Sequence, residues 1–427
     1  MIATIASSFA VPEIRRKIIF TAAILALYRL GTFIPVPSVN LDAIEAASGN
    51  FDSGNILSFL NLFSGGGLQR LALFSLGIMP YITASIILQL LTVAVPSLEK
   101  LQKEGEVGQQ KITQYTRYLT VALAAAQSVG FVYLFKSFNQ TTGTEIISNL
   151  TFAKLFVIVI TLTAGTTLLM WMGELITQRG IGNGISLLIF ASIVSELPAA
   201  VQGWWTNPDA VFVVMMPFMA LAVILGIVFV QEGQRRVPVQ YAKRVIGRRM
   251  TSGGSTYLPL RVNMAGVIPV IFAASLMAFP PTIGQLSQAG WAQDVAAFFN
   301  PNGWAFVLGT SVFIMIFTYF YTAVTFNPVD QADNLKKYGG FIPGVRPGRP
   351  TAEYLNRILV RLTFVGALFL ALVAAIPTIL VTQTAATDTA ANFFGGTSIL
   401  IVIGVALDTV KQLEAQLMMR NYEGFLK

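Results

Sequence analysis

Long apolar runs alternate with short polar or basic stretches along almost the whole of this 427-residue chain. A helix that crosses a membrane needs roughly 20 mostly apolar residues, because the hydrocarbon core of a bilayer is about 30 Å thick. The pattern therefore predicts an all-α membrane protein with about ten spans. The runs lie near residues 18–36, 70–95, 117–136, 152–172, 184–201, 210–230, 263–283, 303–326, 358–382 and 397–413.

One further apolar run, between the first and second predicted spans, is too short to cross a membrane. It begins at Ile56, covers about nine residues and ends in three consecutive glycines, the last of which is Gly67. Glycine ends helices and permits sharp turns, and irregular backbone at membrane depth must be buried in protein or line a cavity. Residues 56–67 are therefore predicted to form a short helix that dips into the protein from the external side. A helix lying flat on the lipid surface is the alternative.

The second and seventh predicted spans share a local pattern of glycine, proline and isoleucine. GIMPYITAS, from Gly77 to Ser85, aligns with GVIPVIFAAS, from Gly266 to Ser275. Five spans in each half is an odd number, so the second half begins on the opposite side of the membrane. The pattern predicts two inverted halves, residues 1–205 and 206–427, with a pathway at their interface. The alternative is that glycine and proline are simply frequent in transmembrane helices.

The basic residues are distributed unequally between the two sides of the predicted membrane. Of the 28 Lys and Arg residues, all but four fall on one side when the spans are threaded in order. Because Lys and Arg are retained in cytoplasmic loops, this side is predicted to be cytoplasmic and to carry both termini. The exceptions are Arg29, Arg70, Lys136 and Lys154.

Composition agrees with a membrane protein and narrows the possible chemistry. Charged residues make up 11% of the chain, and Cys and His are absent; soluble proteins carry roughly 25% charged residues. Disulfides and thiolate sites are therefore excluded, and the commonest general base is missing. The clearest charges within the predicted spans are Arg29 and Asp408. This scarcity disfavours an ion-coupled transporter or an intramembrane hydrolase, although the inverted repeat keeps a secondary transporter as the alternative to a channel.

Two predicted cytoplasmic loops, residues 231–262 and 327–357, concentrate basic residues. The first contains Arg235 and Arg236, and the second presents Arg346 within GGFIPGVRPGRP. Long loops of this kind are usually functional, and their charge could meet RNA phosphates or acidic protein patches. The alternative is retention on the cytoplasmic side together with attraction to anionic lipid, roughly 1 kcal/mol for each basic side chain.

Isoleucines recur at positions that could face a common axis. Ile82 and Ile86 lie one helical turn apart in the second predicted span, and Ile185 and Ile189 do so in the fifth. Ile271 occupies the repeat-equivalent position of Ile82. A ring of branched aliphatic side chains can block ions by excluding water. Ordinary contacts with lipid or a neighbouring helix are the commoner use of such residues.

Several stretches in the same order resemble the SecY family, the channel subunits of bacterial-type or plastid-type protein translocases. The resemblance covers nearly the whole chain. The matching stretches are RLGTFIPVP from Arg29, NLFSGG from Asn61, LGIMPYITASI from Leu76, QYTRY from Gln114, RGIGNGIS from Arg179, QRR with YAKR from Gln234, NMAGVIP from Asn263, GGFIPGVRPG from Gly339 and GGTSILIV from Gly395.

The resemblance implies ten helices in two pseudo-symmetric halves around a central pore. It implies an aliphatic ring at the waist, formed by Ile82, Ile86, Ile185, Ile189, Ile271 and Ile401. It implies a plug below that ring, formed by Ile56, Leu57, Phe59, Leu60, Asn61, Leu62, Phe63, Ser64, Gly65 and Gly66. It also implies a lateral gate between spans two, three, seven and eight, lined by Thr83, Gln127 and Ser275, and docking residues Arg235, Arg236 and Arg346.

The function implied by the resemblance is a protein-conducting channel, not an enzyme. Such a channel translocates unfolded secretory polypeptides and releases signal sequences and membrane spans laterally into lipid. The implied partners are SecE-like and SecG-like small membrane subunits, the SecA motor ATPase, the ribosome, signal peptides, nascent chains and anionic lipid. The sequence contains no nucleotide-binding loop, so energy would come from a partner, and no metal or cofactor is expected. The expected location is the plasma membrane, or a thylakoid membrane.

Overall fold

The computed structural model describes residues 11–40, 42–44, 56–142, 146–147, 151–206, 210–241, 244–246, 249–251, 255–278, 280, 290–300, 303–383 and 395–424. Its helices, in chain order, are α1 Pro12–Gly31, α2 Ile56–Ser64, α3 Met79–Ala94, α4 Pro96–Lys103, α5 Glu106–Thr142, α6 Phe152–Arg179, α7 Gly184–Ser195, α8 Leu197–Trp205, α9 Ala210–Glu232, α10 Ile268–Met277, α11 Gly290–Phe298, α12 Trp304–Thr325, α13 Pro328–Lys337, α14 Arg349–Gln383 and α15 Gly396–Gly424. Its strands are β1 Gln234–Tyr241, β2 Arg244–Ile246, β3 Arg249–Thr251, β4 Ser255–Arg261 and β5 Gly340–Phe341.

The described helices agree with a multi-span membrane protein. Seven helical stretches within the described ranges are long and apolar enough to cross a membrane, and an eighth span arises if α3 and α4, bent by 99° at Val95, count together. The two remaining predicted spans correspond to α1, which has 20 residues and carries several basic side chains, and to the short α10. A helix therefore lies at each predicted span, although the count of ten depends on how short helices are treated.

Among the predicted boundaries that differ from the structure are those of the first, second and seventh spans. The first span ends at Gly31, because Pro35 pairs with Ala72 in a bridge that the continuing helix would prevent. The second span begins at Met79 and not near residue 70, since the chain turns at Gly77 with φ of 57°. The described helix of the seventh covers Ile268–Met277, and residues 279 and 281–283 lie outside the described part.

The two repeat segments found in the sequence have the same local backbone structure. Gly77 and Gly266 have φ of 57° and 64°, conformations that favour glycine. In each segment a proline then occupies the first turn of the helix, where a backbone N–H would have no acceptor within the helix, so its absence in proline costs no hydrogen bond. The amide of Ile82 donates to the carbonyl of Ile78, and that of Ile271 donates to Val267. Helices α3 and α10 therefore start in the protein interior in equivalent ways.

Both halves of the chain contribute to one buried apolar cluster at the centre. Its members come from α1, α2, α3, α6 and α7 on one side and from α9, α10, α12, α14 and α15 on the other. Small residues allow close backbone approach where these helices meet, as is usual in membrane proteins. A methyl group on Gly184 would lie 1.9 Å from the carbonyl oxygen of Gly173, so α6 and α7 touch through backbone atoms.

The two predicted basic loops form one structural unit. Strand β1 pairs with β4 from its own loop and with β5 from the other loop, giving the antiparallel order β4-β1-β5. Val237, Val239, Leu260 and Ile342 pack below this sheet against the start of α14. The second loop also contains α13, and α14 begins at Arg349, so much of residues 327–357 is regular structure. The unit lies at the end of the molecule called here the basic end.

Both ends of the described chain lie at the basic end. Ile14 of α1 and Leu413 of α15 belong to one small apolar cluster with Ile181. Lys17 donates to the side chain of Gln416 at 3.4 Å. Lys411 of α15 also forms an ion pair with Glu232, the residue that ends α9, at 3.0 Å. This arrangement agrees with the prediction that both termini are on the same side of the membrane.

The close contact at Gly184 generates a stability prediction. We expect Gly184→Ala to lower the free energy of unfolding by about 1–3 kcal/mol, because the added methyl group must displace backbone atoms of α6. Gly290→Ala is the matched control, since nothing lies within 4 Å of the position of its methyl group. Thermal unfolding in detergent measures both. Equal midpoints for the two variants would contradict this account of the α6–α7 contact.

Candidate functional site

The last part of helix α2 and the glycines after it, residues 61–67, are buried inside the protein. The side chains of Ile56, Leu57 and Phe59, also predicted to belong to the plug, lie outside the described part. Leu62 and Phe63 are 3% and 2% exposed, and both belong to the central apolar cluster. Gly65 and Gly66 have φ of 64° and 79°, so the chain reverses directly after the helix. This burial agrees with the prediction of a short helix dipping into the protein and disfavours a helix lying flat on lipid.

Polar side chains close the turn that follows α2. The Ser64 hydroxyl donates to the carbonyl of Asn61 at 3.0 Å and accepts from the amide of Leu68 at 2.9 Å. The Asn61 side-chain oxygen accepts from the amide of Gln69 at 3.0 Å. Because unpaired backbone groups are costly at membrane depth, these bonds allow a non-helical turn there.

The six isoleucines singled out in the sequence come together in the same cluster. Ile82, Ile86, Ile189, Ile271 and Ile401 are at most 4% exposed, and Ile185 is half-buried and packs against them. They lie on α3, α7, α10 and α15, and thus on both halves of the chain. Their side chains therefore face the protein interior, next to α2, and not the surrounding lipid.

The seam between α3 and α10 carries two of the three predicted gate residues. The Ser275 hydroxyl donates to the carbonyl of Ile271 at 2.8 Å and lies 3.8 Å from the sulfur of Met79 on α3. Thr83 is buried and donates to the carbonyl of Met79 at 3.0 Å. Gln127 is half-buried on α5, which also packs against α3. The structure thus brings Thr83 and Ser275 to one seam and places Gln127 on the neighbouring helix.

The predicted docking residues lie on the sheet unit at the basic end. Arg235 and Arg236 are exposed on β1 and pair with Leu260 and Pro259 of β4. Arg346 is exposed in the turn between β5 and α14, and its carbonyl accepts from the Thr351 hydroxyl at 2.8 Å. Because β1 pairs with β5, the two loops present these cations from one rigid body.

A polar cavity of about 390 Å³ lies between the sheet unit and the central cluster. It is bordered by the start of α7, the start of α10 and the last part of α15. Val267 and Val405 line it on the side of the apolar cluster. The charged and polar lining residues include Asn183, Arg261, Asp408 and Lys411. A cavity with charged, polar and apolar lining residues therefore adjoins the apolar cluster.

Comparison with known proteins assigns this architecture to a family. The family model described as SecY matches residues 72–410, well over half of the chain. The chain belongs to the SecY family. Curated SecY relatives named "Protein translocase subunit SecY" include those of Mycobacterium bovis, 50% identical with 100% of each chain covered, and Corynebacterium glutamicum, 49% identical with 99% of each covered. The relative from Streptomyces griseus is 48% identical, again with 100% of each chain covered.

Solved structures share the SecY fold at low sequence identity. One, titled "The structure of a protein conducting channel", has a TM-score of 0.63 at 18% identity and covers 93% of this chain and 91% of its own. Another, of Sec61 in a canine ribosome-channel complex, has a TM-score of 0.60 at 18% identity and the same coverage. A third concerns the plug domain of a SecY protein in the closed state, with a TM-score of 0.60 at 19% identity, covering 93% and 91%.

Sequence reasoning missed an ion pair within this SecY-family fold. The Arg117 guanidinium on α5 binds both carboxylate oxygens of Glu174 on α6, at 2.8 Å and 2.5 Å. Such a two-point bond fixes geometry as well as charge. The sequence does contain an indication of this pair: Glu174 is an isolated acidic residue near the end of a predicted span, and Arg117 lies in QYTRY at the start of the preceding span. The pair therefore connects α5 with α6 and does not lie at the α3–α10 seam.

This ion pair generates a second stability prediction. We expect Arg117→Ala to lower the free energy of unfolding by about 1–3 kcal/mol, because Glu174, with its side chain only 13% exposed, loses a charged hydrogen-bond partner. Arg349→Ala is the control, since its pair with Glu353 is exposed on both sides and contributes little. Thermal unfolding in detergent measures both variants. A loss as large for Arg349→Ala as for Arg117→Ala would contradict this assignment.

Proposed function

We propose that this chain is the protein-conducting channel of a Sec-type translocase, which translocates unfolded secretory polypeptides and releases apolar segments laterally into lipid. The observation that carries the proposal is the buried isoleucine cluster shared by both halves, with α2 beside it and a polar cavity adjoining it. Membership of the SecY family supports this function over the secondary transporter that the inverted repeat also suits.

The six isoleucines are proposed to be the seal, with α2 as its plug. A hydrated ion loses its water shell on entering an apolar constriction, and no polar side chain of the ring replaces that shell. A polypeptide is large enough to push flexible aliphatic side chains aside and supplies apolar contacts of its own. The same ring can therefore stop ions at rest and surround a chain in transit.

The seam between α3 and α10 is proposed to be the lateral gate. It joins the two halves through short helices, and α5 and α12 flank it on either side. Thr83 and Ser275 donate to carbonyls within their own helices, so separation of the seam would cost these two side chains only the long contact of 3.8 Å from the Ser275 hydroxyl to the Met79 sulfur. Gln127 on α5 would meet a segment that has begun to leave. Apolar segments would then partition into lipid through this opening.

The sheet unit is proposed to dock a partner in the cytoplasm, either a SecA motor ATPase or the ribosome. Arg235, Arg236 and Arg346 offer exposed guanidinium groups suited to carboxylates or phosphates. SecE-like and SecG-like subunits and anionic lipid would complete the complex in the plasma membrane, with both termini cytoplasmic. The halves 1–205 and 206–427 would move relative to each other around the seam.

The seal generates a conductance prediction. We expect Ile86→Ser combined with Ile189→Ser to raise resting ion conductance in reconstituted bilayers at least roughly tenfold, since each 1.4 kcal/mol removed from a barrier is a factor of ten. Hydroxyl groups placed in the cluster would solvate ions there. Ile160→Ser combined with Ile316→Ser is the matched control, because both residues are about half exposed on the outer surface. An unchanged baseline in the ring variant would refute the seal.

The docking surface generates a secretion prediction. We expect Arg346→Glu to reduce motor-driven secretion roughly tenfold, because the glutamate carboxylate would repel the carboxylate or phosphate groups of the partner that Arg346 attracts. Membrane assembly should stay intact. Arg357→Glu, an equal charge change at an exposed position of α14, is the control. Transport of a preprotein into vesicles measures the effect, and immunoblotting of membranes measures assembly. A parallel loss of assembled protein would argue against a docking role.

A further inference from the structure

Two adjacent residues of α1 hold the carboxyl end of α2. The Tyr28 hydroxyl donates to the carbonyl of Ser64 at 3.1 Å, and the Arg29 guanidinium donates to the carbonyl of Gly65 at 2.5 Å. These are the last residue of α2 and the first after it. The Ser64 carbonyl also accepts from the amide of Gly67 at 3.3 Å, within the turn itself. Carbonyls at the end of a helix need partners outside the helix, and here α1 supplies two of them.

Both donors are fixed in position by their surroundings. Tyr28 is 2% exposed, and its ring stacks on Phe74 with centroids 5.8 Å apart. The Arg29 guanidinium lies 4.8 Å from the centre of the Phe33 ring, so a cation–π contact holds it next to α2. A side chain at Gly65 would lie 2.9 Å from the Tyr28 oxygen, and only glycine therefore lets the turn come this close.

The Tyr28 hydroxyl has a second partner that belongs to α7. Its oxygen lies 2.6 Å from the Ser192 oxygen, and the Ser192 oxygen lies 2.9 Å from the carbonyl of Leu188. Each hydroxyl has a single proton, so two arrangements are possible. In one, Ser192 donates to Tyr28 and Tyr28 donates to Ser64. In the other, Tyr28 donates to Ser192 and Ser192 donates to Leu188.

The two arrangements correspond to two positions of α2. The first uses the Ser64 carbonyl and requires α2 in place. The second does not use the Ser64 carbonyl, and both buried hydroxyl groups still donate a hydrogen bond. Helix α2 can therefore move away without leaving the Tyr28 or Ser192 hydroxyl unpaired. Among the described residues, the Arg29 guanidinium has one further hydrogen bond, a long one of 3.5 Å to the Thr32 hydroxyl. The Arg29 bond is therefore the one that α2 loses outright when it moves.

We infer that Tyr28 and Arg29 form a latch that holds α2 in the closed position, with Ser192 as an alternative hydrogen-bond acceptor for Tyr28 that allows release. This inference rests on the proposed function, because it assigns α2 as the plug of a channel. The latch adds two residues of α1 to the seal and plug that are proposed to keep the channel closed at rest. Arg29 supplies most of the holding strength, and Tyr28 supplies a bond that can be exchanged.

The latch can be tested by thiol labelling, since the chain contains no Cys. Leu62→Cys places a single thiol on the buried face of α2, and a membrane-impermeant maleimide reports its exposure in reconstituted vesicles. We expect Arg29→Gln to raise the labelling rate about tenfold or more, as for loss of a charged hydrogen bond, and Tyr28→Phe to raise it about threefold to tenfold. Arg29→Lys, which keeps one charged donor, should restore part of the protection.

Ser192→Ala separates a latch from mere packing. With the serine hydroxyl removed, Tyr28 has a partner when α2 is in place and none when α2 leaves. We therefore expect this variant to lower the labelling rate severalfold, because release would strand a buried donor. If packing alone held α2, the labelling rate of Ser192→Ala would equal or exceed that of the parent, because the variant loses a side-chain atom that contributes to the packing.

Matched controls remove similar groups outside the latch. Arg70→Gln deletes a guanidinium that lies 4.3 Å from the same Phe33 ring. Tyr133→Phe removes the hydroxyl of an exposed tyrosine on α5. Both should label at the parent rate. Parent-rate labelling of Arg29→Gln and Tyr28→Phe would overturn the latch, while the conductance of the isoleucine variants decides separately whether the channel proposal stands.

Discussion

The structure depends on one constraint, which is that a passage wide enough for a polypeptide must exclude ions when empty. In the proposed channel, the buried isoleucine cluster meets this constraint with side chains alone. Ile82 and Ile271 reach it from two short helices that start inside the protein after equivalent glycine and proline positions. Because an apolar collar has no groups to replace ion hydration, its tightness depends on packing between the halves. In this proposal, a motion that separates the halves would weaken the seal and open the α3–α10 seam at the same time.

Irregular backbone at membrane depth is the second consequence of this design. Short helices such as α2 and α10 leave carbonyl and amide groups that lipid cannot satisfy. The protein supplies partners for those around α2 from its own side chains, through Asn61, Ser64, Tyr28 and Arg29. The same polar bonds that permit the short helix also hold it in place. In the latch proposed above, the contacts that stabilise the turn after α2 would also control the resting state.

The basic end connects the proposed docking surface to the membrane helices. The sheet joins both loops, and its apolar underside packs on the start of α14. The Lys411–Glu232 pair then links α15 with α9 beside the polar cavity. A partner bound at Arg346 would therefore act on a rigid unit that is packed against several spans of the second half. Such a unit transmits force better than two independent flexible loops.

The sequence by itself determined the class of molecule, because the length of apolar runs and the placement of Lys and Arg are properties of the chain alone. It also indicated the short α2 and the Gly–Pro repeat, since both depend on local backbone preference. The tertiary structure decided which isoleucines meet, how β1 joins two distant loops, and which partners Tyr28, Arg29 and Glu174 bind. These contacts join residues far apart in the chain, such as Tyr28 and Ser192, and apolar periodicity in a membrane helix does not distinguish a face toward lipid from one toward a neighbour.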